Sequence, residues 1–89
     1  MTLDDFKKKL LDDPNVRAEY DALEDEYSLR EQFIRLRTEQ NMTQKELAER
    51  IGTKQSSIAR FESGDINPSF GFLQKVAGGL GKRLRFVLA

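Results

Sequence analysis

The stretch TQKELAERIGTKQSSIARFESG, Thr43 to Gly64, decides how this 89-residue chain folds. Its apolar residues return at helical spacing in both halves, yet Gly52 and Thr53 interrupt the pattern midway. Thr43 and Glu46 form a capping box, each satisfying a free amide at a helix start, and Met42 and Leu47 occupy the staple positions. This predicts a helix running to about Arg50. Gly52 takes the left-handed conformation that ends it, and Thr53 is placed to cap the next helix. That helix reaches about Glu62 before Ser63-Gly64 stops it.

Two short helices joined by Gly-Thr, with Leu47, Ala48, Ile51, Ile58 and Phe61 facing inward, make a helix-turn-helix. Ala48 is small where the helices cross, and Gly52 turns without a Cβ clash. Ile58 and Phe61 anchor the second helix so that its other face points outward. That face is made of hydrogen-bonding side chains. Gln55 offers adenine a paired donor and acceptor, Arg60 does so for guanine, Ser56 serves either, and Lys54 meets phosphate or a base edge. Gln44, with the free amides of the preceding helix start, is placed to hold a backbone phosphate. The DNA-facing set is therefore Gln44, Thr53, Lys54, Gln55, Ser56 and Arg60, read against an operator in double-stranded DNA. For Lys54 and Ser56 plain solvation is the competing reading, and Ser57, beside Ile58, is structural.

Outward from this core the pattern stays helical. Thr2 and Asp5 cap a short amphipathic helix over about 3–11, with Leu3, Phe6 and Leu10 on one side. Asp12-Asp13-Pro14 ends it and starts another, Pro14 taking the first helical position. Val16, Tyr20, Leu23 and Tyr27 form one stripe; Leu29, Phe33 and Leu36 form a second, rotated from the first. Either this helix bends near Glu24-Asp25-Glu26, or its ends pack against different surfaces. Asn41 is placed to stop it. Asn67-Pro68-Ser69 opens a last helix with Phe70, Leu73, Val76 and Ala77 on one face. Beyond Gly78, Gly79 and Gly81, the tail KRLRFVLA alternates with a period of two and predicts a short strand. The fold expected is all-α: a compact, lambda-repressor-like bundle of about five helices with an N-terminal helical arm and a short C-terminal β-strand.

Net charge is zero, but unevenly spread. Residues 1–26 carry nine acidic against four basic side chains, and residues 27–89 carry six against eleven. An acidic arm thus precedes a basic body. Cysteine and histidine are both absent, which excludes disulfides, thiolate chemistry, zinc sites and His-dependent catalysis. No catalytic residue, metal ligand or cofactor is expected. No apolar run spans a bilayer and MTLDDFKKK lacks a signal-peptide apolar region, so the expected location is the cytoplasm, with no membrane partner.

Residues 30–81 closely resemble the DNA-binding domains of phage-repressor-like (XRE, Cro/C1-type) regulators. The shared elements are Thr43-Gln44, Glu46-Leu47-Ala48, Gly52, Gln55, Ser57-Ile58 and Glu62-Ser63-Gly64. In that family the positions of Gln44, Lys54, Gln55, Ser56 and Arg60 contact operator DNA. The arm, the helix-turn-helix and the basic tail together look like the HigA-type antitoxins of toxin–antitoxin operons, with Asp13-Pro14, Val16, Tyr20 and Leu23 matching an arm pattern. The resemblance implies a partner: a small basic RelE/HigB-like toxin that cuts mRNA. It divides the chain into an acidic helical arm at 1–27 that binds toxin, a DNA-binding domain at 28–81, and a dimerising strand at 82–89.

On this reading Phe6, Leu10, Leu11, Val16, Tyr20 and Leu23 anchor the toxin. The same residues would serve equally to pack on the body or across a dimer. Strand pairing between tails would give a homodimer with recognition helices about 34 Å apart, although an intrachain role for the tail stays open. Two other functions compete with a DNA-binding antitoxin. One is a stand-alone prophage-type repressor; the other is a protein-binding adaptor with little DNA affinity.

Overall fold

The computed structural model describes residues 2–88 and contains five α-helices. They are α1 (Leu3–Leu11), α2 (Pro14–Glu39), α3 (Gln44–Ile51), α4 (Gln55–Ser63) and α5 (Phe70–Gly79). The molecule is elongated, 49 × 27 × 21 Å, because α1 and the first half of α2 project from the body as a hairpin arm.

Short-range chemistry sets the helix ends. Thr2 with Asp5, and Thr43 with Glu46, form complete capping boxes. Asp13 caps α2 ahead of Pro14, and Ser69 accepts a hydrogen bond from the Phe72 amide to open α5. Asn41 lies at φ 54° after α2, and Gly52 and Gly64 lie at φ 70° and 84° after α3 and α4. α2 is one continuous 26-residue helix, about 39 Å long at the standard rise. Its ends do pack against different surfaces: α1 lies along the first half, and α4 packs near the second.

The core is a single cluster of Phe33, Met42, Leu47, Ala48, Ile58, Phe61, Leu73, Val76, Ala77 and Leu80. Phe61 stands at its centre, edge-to-face with Phe33 at 5.4 Å and with Phe72 at 5.6 Å. Polar ties close the bundle. Gln40 donates to the Leu80 carbonyl at 2.8 Å, and Arg50 donates to the Gly79 carbonyl at 3.2 Å.

Three expectations need correction. Residues 82–88 form no strand. A period-two segment needs a neighbouring edge to pair with, and the described residues of this chain offer none. Instead Leu84 packs on the core and Phe86 meets Phe70 edge-to-face at 4.8 Å. Phe70 is 69% exposed, and the first turn of α5 turns Phe72 and Leu73 toward the core instead. Thr53 does not cap α4. α4 begins at Gln55, so the N-cap position falls to Lys54, which makes no side-chain capping bond, while the Thr53 amide donates to the Ala48 carbonyl at 2.9 Å and completes the end of α3.

Candidate nucleic-acid interface

α3 and α4 pack closely across the Gly52-Thr53-Lys54 turn. Leu47, Ala48, Ile58 and Phe61 are buried between them, with Ile58 wholly inaccessible. Burying one face of a nine-residue helix at both Ile58 and Phe61 fixes its rotation. Lys54, Gln55, Ser56 and Arg60 are then left exposed, and Ser56 and Arg60 stand one turn apart on one face. Thr53 and Ser57 are half-buried beside this edge. The structure thus brings the sequence-derived set together along α4 and the turn before it.

Gln44 is placed differently from the rest. It is half-buried, and its side-chain amide donates to Glu62 Oε1 at 3.0 Å. Glu62 is in turn held by Arg37: Nε donates to Oε2 and Nη2 to Oε1, each at 2.7 Å. Arg37 Nη1 also donates to the Met42 carbonyl at 2.8 Å, at the turn before α3. One guanidinium therefore joins the end of α2, the α2–α3 turn and the last turn of α4. Hydrogen bonding to Glu62 raises the Arg37 pKa above its ordinary value, against the opposing effect of burial.

Sequence reasoning missed this network. Glu62 stood in the recognised motif without a role, and Arg37 lies 25 residues away with no local signal to mark it. Arg37 thereby fixes the helix that carries the exposed Gln55, Ser56 and Arg60.

The arm residues separate into two sets. Leu11, Val16 and Tyr20 are half-buried where α1 and α2 meet. Lys7 Nζ lies 4.7 Å from the Tyr20 ring centroid, a cation–π contact across the hairpin. Phe6, Leu10 and Leu23 face solvent, as do Leu3 and Tyr27.

Comparison with known proteins agrees with this geometry. A helix-turn-helix family model matches residues 34–87, more than half of the chain and reaching well into the tail. The chain belongs to the helix-turn-helix family. It is 33% identical over 76 residues to antitoxin HigA1 from two strains of Mycobacterium tuberculosis, covering 85% of this chain and 51% of that protein. The chain therefore spans about half the length of these relatives. The 76-residue match is longer than the whole stretch from Ile34 to the end of this chain, so it reaches back into the arm side of α2. An uncharacterized helix-turn-helix-type transcriptional regulator from Archaeoglobus fulgidus is 39% identical over 49 residues, 55% of this chain and 69% of that protein. No solved structure matches the chain. Among the described residues, no helix is long and apolar enough to cross a membrane.

Proposed function

We propose that this helix-turn-helix protein is the antitoxin of a type II toxin–antitoxin pair, repressing its own operon as a homodimer and binding a small basic RelE/HigB-like toxin directly. The observation that carries this reading is the two-ended layout. One end offers the open polar edge of Lys54, Gln55, Ser56 and Arg60, held rigid by buried Ile58 and Phe61. The other is an acidic hairpin with Phe6, Leu10 and Leu23 uncovered. Uncovered apolar groups set among acidic ones suit a basic protein surface. Charge speeds the encounter, and desolvated apolar anchors hold it.

On the DNA side, α4 enters the major groove, where Gln55, Ser56 and Arg60 meet base edges while Lys54 and Thr53 meet the backbone at its start. The Gln44 and Lys45 amides at the start of α3 face a phosphate, with Gln44 steadied by Glu62. The cytoplasm, where operator and mRNA both lie, is the working compartment. The likeness to antitoxin HigA1 beyond the family segment supports the toxin-binding half. The Archaeoglobus regulator favours a second reading, a stand-alone repressor whose arm has no toxin to bind.

Affinity capture of the full chain from its host, followed by mass spectrometry of co-purifying proteins, separates the two. A stoichiometric small basic ribonuclease whose activity is suppressed in the complex is the expected result. Operator binding without any such companion would establish the repressor alone.

A further inference from the structure

We propose that the cleft between α2, the end of α4 and the loop leading to α5 binds a free α-amino acid with a large apolar side chain. The cleft has a volume of about 530 Å³, and the buried Phe61 and Leu73 line it together with Leu29 and Ile66. Three charged side chains share its walls: Glu26 and Arg30 on α2, and Asp65 just beyond α4. Apolar walls with a few convergent polar groups, in a cleft of this size, suit a small ligand. The site goes beyond the antitoxin reading and needs neither DNA nor toxin.

Arg30 decides the class of ligand. It is half-buried, and a Cβ on Gly64 would stand 3.0 Å from its Cζ, 3.2 Å from Nη2 and 3.3 Å from Nε. Those near-equal distances lay the guanidinium flat across the left-handed glycine that ends α4. A positive charge beside the last turn of α4 offsets the helix dipole, which accounts for the charge. It leaves the fork of donors unused. Among the described residues the ion pairs are Arg35–Glu31 and Arg37–Glu62, and Arg30 makes neither an ion pair nor a side-chain hydrogen bond. Yet Glu26 stands one turn before it, and Asp65 follows the glycine it covers. Pinned flat, the fork suits a carboxylate, whose two oxygens accept two parallel N–H groups.

The two acids narrow the class further. A plain carboxylate would be repelled by Glu26 and Asp65, and a plain amine by Arg30. An α-amino acid carries both charges on one carbon, so its carboxylate meets Arg30 while its ammonium meets Glu26 or Asp65. Its side chain then lies on Leu29, Ile66 and Leu73, where the volume admits an aromatic ring or a branched aliphatic group. The occupant would touch Phe61 and Gly64, the anchor and the stop of α4. Binding therefore bears directly on the helix that presents Gln55, Ser56 and Arg60.

Amide correlation spectra of the full, nitrogen-labelled chain test this by titration, with circular dichroism confirming unchanged helicity in every variant. L-phenylalanine and L-leucine should give saturable shifts centred on residues 26–30 and 61–73, with dissociation constants on the order of 0.1–1 mM for ligands so small. Phenylalanine methyl ester, N-acetylphenylalanine and glycine lack in turn the carboxylate, the ammonium and the side chain. Each should bind about tenfold more weakly or worse. Arg30→Gln should weaken phenylalanine by about tenfold or more. Glu26→Gln combined with Asp65→Asn should weaken phenylalanine yet improve N-acetylphenylalanine, a crossover that a merely structural role would not produce. The absence of any saturable shift at concentrations about tenfold higher overturns the proposal. Undiminished binding by Arg30→Gln overturns it too, as does equal binding of the ester and the acetyl derivative, which would make the cleft an unselective apolar surface. Failure of operator or toxin binding would leave these spectra unchanged, so the two readings fail separately.

Discussion

Arg37 holds both carboxylate oxygens of Glu62 at 2.7 Å, joining the end of α2 to the last turn of α4, the helix that presents Gln55, Ser56 and Arg60. The Glu62 side chain is only 8% exposed, so removing its partner strands a largely desolvated charge. Arg37→Ala is expected to cost about 3 kcal/mol of folding stability. Arg37→Met combined with Glu62→Leu should recover most of that loss, because apolar side chains of similar size tolerate the site. Urea denaturation of the three proteins checks this. If the double variant keeps its stability but loses operator affinity, the pair's contribution lies in aiming α4.

Gln44 and Arg60 should fail in different ways. Gln44 is tied to Glu62; if it holds a phosphate as proposed, Gln44→Ala should weaken binding by about 1 kcal/mol on every DNA sequence alike. Arg60 is exposed on the face proposed to read DNA, and Arg60→Ala should cost about 1–3 kcal/mol while relaxing preference at one base position. Titrations against a panel of single-base operator variants distinguish the two patterns. A uniform loss for Arg60→Ala would place its guanidinium on the backbone.

Two adjacent glycines near the end of α5 give a sharper test of the core. A Cβ on Gly79 would collide with Ile51 Cγ2 and press on Leu47 Cδ1 at 3.1 Å, whereas a Cβ on Gly78 meets nothing. Gly79→Ala should destabilise the fold by about 1–3 kcal/mol through overpacking against α3. Gly78→Ala should stabilise it by about 0.5–1 kcal/mol, since alanine loses less backbone freedom in a helix. Thermal melts of the two single variants should therefore move in opposite directions.

What was legible in the sequence was what local chemistry decides. Thr43 with Glu46, Asp13 with Pro14, Asn41 and Gly52 each act within a few residues, and the helix ends fall where their pattern placed them. The inward set from Leu47 to Phe61 was readable because α3 and α4 are short and tightly joined. Illegible features depended on distant partners. Arg37 gains its meaning from Glu62 across 25 residues of chain. The alternation of residues 82–88 pointed to a strand, yet pairing needs an edge that local pattern does not supply. Thr53 was placed to cap α4, but that helix begins one residue later than expected, at Gln55, and Thr53 closes α3 through its amide's bond to Ala48. Of the residues expected to face DNA, the fold leaves Lys54, Gln55, Ser56 and Arg60 open and half-buries Thr53 and Gln44, and the Gln44–Glu62 bond was beyond the reach of local pattern.

The arm should divide into residues that build it and residues that use it. Leu11, Val16 and Tyr20 are half-buried in the hairpin, so Val16→Ala or Tyr20→Ala should loosen α1 from α2 and lower helicity. Phe6 and Leu10 are 51% and 44% exposed, and replacing either with Asp should leave the helix content of the free protein unchanged. In the toxin complex proposed above, the same substitutions should weaken binding by about 2 kcal/mol or more, the cost of removing a desolvated anchor and burying a charge in its place. Circular dichroism of the free chain and competition binding to the captured toxin provide the two readouts. If Phe6→Asp and Leu10→Asp both bind like wild type, the toxin contact lies on the body, and the uncovered face of α1 serves some other surface.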